Sequence, residues 1–225
     1  MIKKKIILIG ASGMIGGLVL RKALESDSIS EIVSLVRKPL GISHHKLKEI
    51  ILQNFTNYSD IQEQLKDFDA AYFCIGVYTG SVPDDQFKMI TVDYAKAFID
   101  VIKEQSPNAN FCFLSGAGAD LNEKSRLSFA KYKGMAENYL IQKQFKHWYI
   151  FRPAYIYPVE KRLEPNFSYR IMRTLYPIIK SIYPQGAITS EVLADAMFKA
   201  GIYGKDQIIL ENQDIKTLQF STDET

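Results

Sequence analysis

Ile6-Ile7-Leu8-Ile9-Gly10-Ala11-Ser12-Gly13-Met14-Ile15-Gly16 decides the fold. An unbroken apolar row, Ile6 to Ile9, is what a central parallel strand covered on both faces needs. Three glycines, each separated by two residues, follow at once, and a helical segment then runs from Met14 to Glu25. A glycine-rich turn between strand and helix has a physical use. Small residues let phosphate groups come up against the backbone, while the helix start offers unpaired N–H groups and the positive end of its dipole. The Gly-x-x-Gly-x-x-Gly spacing alone is a weak signal, and its place between a strand and a helix strengthens it. Gly10, Ser12, Gly13, Met14, Ile15 and Gly16 are therefore the candidate cradle for the diphosphate of a dinucleotide, with the Ser12 hydroxyl as an added donor.

The same pattern continues outward. Strands are expected at Glu31–Val36, Ile50–Leu52, Ala70–Ile75, Phe111–Leu114, His147–Phe151 and Gln207–Leu210. Helices are expected near Ser59–Lys66, over Asp84–Glu104 and Arg126–Gln144, and at Asn166–Leu175 and Glu191–Ala200, the last capped by Thr189 or Ser190. Alternating strands and helices imply an α/β, Rossmann-type doubly wound parallel sheet with helices on both faces. The 225 residues suit a single domain. Residues 1–152 form the expected nucleotide-binding core. Residues 153–225, broken by prolines and rich in tyrosine, form a small C-terminal segment on the substrate side.

Composition removes several function classes. At 47% hydrophobic residues the chain can build a core, so disorder is excluded. A net charge of +3 offers no concentrated basic face for nucleic acid. Lys3-Lys4-Lys5 reads as a solvated strand entrance. No apolar run reaches the roughly 18 residues of a membrane span, and the first apolar stretch runs into the glycine turn without a cleavage site. A cytoplasmic protein is expected. Cys74 and Cys112 sit in apolar strands, read as buried reduced thiols. His44, His45 and His147 lack metal-ligand spacing, so no metal is expected.

The tip of the second strand selects the dinucleotide. NAD sites usually carry an acid there for the ribose hydroxyls, whereas the extra phosphate of NADP needs cations. Arg37 and Lys38 stand there, with no acid between Val33 and His45. A guanidinium can both pair with a phosphate and stack on adenine. NADP(H) is expected over NAD. Asn54 and Phe55, after the third strand, are candidates for the adenine edge. Gly76, after the fourth, would let the backbone run close to the cofactor.

Several pieces resemble the short-chain dehydrogenase/reductase superfamily: Gly10–Gly16, Leu35-Val36-Arg37, Phe73-Cys74-Ile75-Gly76, Val92-Asp93-Tyr94, Leu114-Ser115-Gly116-Ala117, Lys133-Gly134 and Phe151-Arg152-Pro153. The chain is more closely similar to the superfamily's atypical branch, the small NAD(P)H-binding proteins of the Tat-interacting-protein and NmrA-like groups. The resemblance implies catalytic roles for Ser115 and Lys133, with Lys133 also on the nicotinamide ribose and Pro153 beside the cofactor. It also implies a tyrosine four residues before the lysine, and that residue is Phe129. A phenol can donate a proton to a carbonyl oxygen; a phenyl ring cannot. Tyr132 lies about 100° round the helix from Lys133. Tyr139 and Lys143 keep the Tyr-x-x-x-Lys spacing but start about 15 Å further along, so packing is their expected role. Tyr155 and Tyr157, after the sixth strand, are the remaining hydroxyls near the nicotinamide edge, with Tyr155 the candidate proton donor.

Two functions follow as expectations. One is an NADP(H)-dependent oxidoreductase or epimerase-like enzyme acting on a small molecule. The other is a non-catalytic NADP(H)-binding redox sensor working through a protein partner. Either could be a monomer or a homodimer. Neither nucleic acid nor membrane is an expected partner.

Overall fold

In the computed structural model, residues 3–160 and 186–220 are described. The strands of the main sheet are β1 (Lys4–Ile9), β2 (Ile29–Val36), β3 (Leu47–Ile51), β4 (Ala70–Phe73), β5 (Asn110–Leu114), β6 (Trp148–Arg152) and β9 (Gln207–Glu211). Their spatial order is β3-β2-β1-β4-β5-β6-β9, and every pairing is parallel. The order reverses between β1 and β4. Rossmann folds open their ligand crevice at such a switch point. A second, two-stranded sheet pairs β7 (Tyr155–Tyr157) with β8 (Ala187–Thr189).

Both faces of the sheet are covered, as the unbroken apolar strands require. Ile6 and Leu8 join one core with Tyr72, Tyr149 and Phe151, under α1 (Met14–Glu25) and α5 (Ser190–Tyr203). Ile7 and Ile9 join the other with Val33, Phe73, Phe111 and Phe113, under α3 (Tyr94–Gln105) and α4 (Ser128–Gln142). Successive strand residues thus point to opposite layers. All four are fully buried. Thr189 caps α5, accepting the Val192 N–H at 3.3 Å. Among the described residues no helix is long and apolar enough to cross a membrane.

Some elements differ from expectation. β3 starts at Leu47 rather than Ile50, because an edge strand accommodates the exposed Lys48 and the half-buried Glu49 and so loses the apolar run. The helix expected near Ser59–Lys66 is only a 3-10 turn, Gln62–Leu65. Asn54 and Asn57 accept the backbone N–H groups of Thr56 and Ser59, so turns replace the first helical hydrogen bonds. The long helix begins as α2 (Asp84–Lys88) and passes through a π-turn at Met89–Asp93 before α3. The short sheet and α6 (Asn212–Thr217) were not anticipated. Asn212 links them to the edge of the main sheet: its Oδ1 accepts the Ala154 N–H at 3.0 Å and its Nδ2 donates to the Ala187 carbonyl at 3.2 Å. The helix expected at Asn166–Leu175 lies outside the described residues.

Candidate functional site

The glycine turn is built by close backbone approach. Gly10 has φ +95°, and a Cβ there would come within 2.6 Å of the Cys74 carbonyl carbon. A Cβ on Gly16 would lie 2.2 Å from the Gly10 oxygen. The Gly13 N–H donates to Gly10 O at 2.9 Å, closing the turn. Gly13 then caps α1 without a side-chain hydrogen bond, and the first turn has no acidic residue. The helix start therefore keeps its electropositive N–H groups for an outside acceptor. Ser12 and Gly13 are exposed beside it. The turn fits a diphosphate. A cleft of about 560 Å³ opens here, lined by Ser12, Gly13 and Met14 and, across from them, Pro158 and Ser190. It runs along the outer side of α1 and includes none of Arg37, Ser115 and Lys133. The cavity thus marks the helix start and leaves the rest of the site to side-chain geometry.

Arg37 and Lys38 are exposed immediately past β2. Neither forms an ion pair with a described residue, so both cations are available at the strand tip. The backbone there is anchored by Leu52 N–H on the Val36 carbonyl at 2.9 Å and by Gln53 Nε2 on the Arg37 carbonyl at 3.1 Å. Asn54 spends its oxygen on Thr56, at 2.9 Å from N and 2.8 Å from Oγ1, which leaves its amide N–H groups as donors. The Phe55 ring is buried edge-on to Tyr94, 5.5 Å between centroids, so it is a core group with only its backbone left for a ligand. Gly76 is exposed, with open space where a side chain would be.

The far side of the crevice is made by α4 lying against the end of β5. Gly134 permits the contact: a Cβ would sit 1.8 Å from the Asp120 oxygen. The Asp120 carboxylate accepts the N–H groups of Asn122, Lys124 and Ser125, and these bonds lower its pKa. Lys133 is buried, and its Nζ donates to the Leu114 carbonyl at 3.0 Å, next to Ser115. Burial pulls its pKa down to about 8, with the Glu137 carboxylate opposing the shift. Phe129 holds its ring tip against Gly116, with Cζ 2.6 Å from where a Cβ would stand. No hydroxyl comes from that position.

Tyr132 and Tyr139 do not substitute for it. Tyr132 turns to α2, donating to Asp84 at 2.6 Å. Tyr139 donates to Asp100 at 2.8 Å, and Lys143 pairs with the same carboxylate at 2.5 Å. That pair braces α4 on α3. Tyr155 is half-buried on β7 opposite Ala187. The Pro153 carbonyl accepts the Ala117 N–H at 2.9 Å, which puts Pro153 beside the Ser115 loop.

Sequence reasoning missed a charged network under Ser115. Glu137 is fully buried on α4. The Ser115 hydroxyl bonds to its Oε1, and Arg152 Nε donates to Oε1 and Oε2 at 3.0 and 3.2 Å. Arg152 also reaches Glu211 on β9 at 3.0 Å. The available signal was Glu137 one helical turn after Lys133, on the same face.

A switch point carrying a glycine turn and an opposing buried lysine defines a dinucleotide-binding doubly wound protein. Residues 10–200 match the family described as NAD(P)H-binding. The chain belongs to that family. Its cofactor is a nicotinamide dinucleotide. The chain is 23% identical to the HTATIP2 protein of Rattus norvegicus over 154 residues, which is 67% of this chain and only 62% of that protein. It is 26% identical over 220 residues to the Candida albicans "Protein FMP52, mitochondrial", covering 92% and 94% of the two chains. The Bordetella bronchiseptica enzyme WbmH, solved with NAD+, shares the fold at a TM-score of 0.68 and 15% identity, over 92% of this chain and 75% of that one.

Proposed function

We propose that this protein is an NADP(H)-dependent oxidoreductase or epimerase-like enzyme acting on a small molecule. The observation that carries the reading is Lys133, buried against the Leu114 carbonyl beside Ser115, across the crevice from the glycine turn. An ammonium group is costly to bury, and a chain that only packed α4 on β5 would use an apolar residue there. Gly10 to Gly16 would hold the diphosphate, Arg37 and Lys38 the phosphate that distinguishes NADP, and Lys133 the nicotinamide ribose. When bound, the nicotinamide supplies or accepts hydride. The chain's own residues orient the reactants and handle protons. Buried free thiols at Cys74 and Cys112 fit a reducing compartment, and we assign the protein to the cytoplasm.

Phe129 favours a second reading, a redox sensor that binds NADP(H) without turnover and signals to a protein partner. Fluorescence titration with NADPH and NADH, followed by a carbonyl and alcohol panel, separates the two. Preferential NADPH binding with turnover that is lost in Lys133→Ala supports the enzyme. Tight binding without turnover supports the sensor. Binding of neither dinucleotide rejects both.

A further inference from the structure

Ser115 is tied down from two sides. Its N–H donates to the Phe151 carbonyl at 2.8 Å, and its hydroxyl lies on Glu137 Oε1. Glu137 has no exposed surface, and both its oxygens take hydrogen bonds from Arg152. Arg152 in turn is held by Glu211. A carboxylate has acceptors only, and a serine hydroxyl has a single proton. In this pair the proton must therefore point from Ser115 to Glu137. What remains on Oγ is lone pairs. Lys133, the neighbouring polar group, has the opposite character: an ammonium with three donors, of which Leu114 O takes one.

We propose that Ser115 is a hydrogen-bond acceptor in the site, held in that sense by Glu137 and Arg152, and that the substrate class it selects is hydroxyl-bearing. A ligand group facing Ser115 must bring its own proton. An alcohol does so and a carbonyl oxygen does not. The alcohol oxygen can still accept from Lys133. Glu137 and Arg152 are positioning residues, since they act through Ser115. The inference rests on the oxidoreductase reading and deepens it by assigning a polarity to the site.

The test uses a redox-inert tetrahydro analogue of NADPH, so that probes bind without reacting. Binding of the analogue is measured first. Matched pairs such as cyclohexanol and cyclohexanone are then titrated by ligand-observed NMR against the saturated protein. The expected alcohol preference is about tenfold, the worth of one hydrogen bond. Ser115→Ala should bring the ratio to about one. Glu137→Gln offers Ser115 an amide donor, so the hydroxyl can reverse and the preference should fall. A general loosening of the protein would weaken both probes alike and leave the ratio standing. Because Glu137→Gln also leaves Arg152 short of counter-charge, Ser115→Ala, a small truncation, carries the test on its own. Absence of alcohol binding, an equal or better ketone, or a ratio unchanged in Ser115→Ala overturns the inference alone. Failure of the analogue to bind overturns the dinucleotide reading and this inference with it.

Discussion

Lys133 and Arg37 illustrate how one type of charge is used in two environments. Burial lowers the Lys133 pKa from 10.5 to about 8. The unfolded chain therefore holds a proton that the native state has released between those values, and stability rises with pH across that window. Below about pH 8 both states are protonated and the contribution is flat. Urea unfolding at about pH 7 and about pH 10 should show this rise. Lys133→Met should remove that residue's share of it, while an undiminished rise would assign it to other groups. Arg37 is exposed and gains nothing from the fold, so its substitution should leave stability unchanged within about 0.5 kcal/mol. Arg37→Glu should instead weaken NADPH binding at least tenfold and NADH binding little, as expected when one charged hydrogen bond to the extra phosphate is lost. Equal weakening of both cofactors would remove Arg37 from cofactor selection.

Two glycines position α4, and the obstacles they avoid differ in kind. At Gly134 a methyl group meets the Asp120 backbone at 1.8 Å, and at Gly116 it meets the tip of the Phe129 ring at 2.6 Å. A ring can swing aside; a backbone carbonyl beside a turn held by three Asp120 hydrogen bonds cannot. Gly134→Ala should therefore destabilise by more than about 3 kcal/mol, and Gly116→Ala by about 1–2 kcal/mol. Chemical denaturation of the two variants checks the order, and the reverse order would show that the α4 contact yields more easily than the ring. Legibility in the sequence also divides at this scale. β1, β4, β5 and β6 are central and buried on both faces, so each was visible as an apolar run. β3 is an edge strand with Lys48 and Glu49 in it, and its start was hidden. The glycine turn was readable because its contacts are local apart from Cys74. The Ser115–Glu137–Arg152 cluster was not, because its members lie just past β5, on α4 and on β6, and meet only when the helix settles on the sheet.

At the scale of the whole molecule, the switch point lets ligand binding be separated from folding. Gly13 caps α1 with φ −85° and ψ 170°, a conformation open to any residue, and a Cβ there meets only Gly10 O, at 3.2 Å. An aspartate at this position can cap the helix through its own carboxylate, worth about a few tenths of a kcal/mol to folding over glycine. It also puts negative charge where the diphosphate has to sit. Wild-type protein at a hundredfold excess of NADPH over Kd should gain about 2.7 kcal/mol, seen as a higher Tm. Gly13→Asp should melt at or above the unliganded wild-type temperature and show no further rise with NADPH. The two effects have opposite signs at one residue, so a general loss of structure cannot imitate them. A Gly13→Asp protein that is still stabilised by NADPH to the wild-type extent would mean that the start of α1 does not hold the diphosphate, and the assignment of the crevice would fall with it.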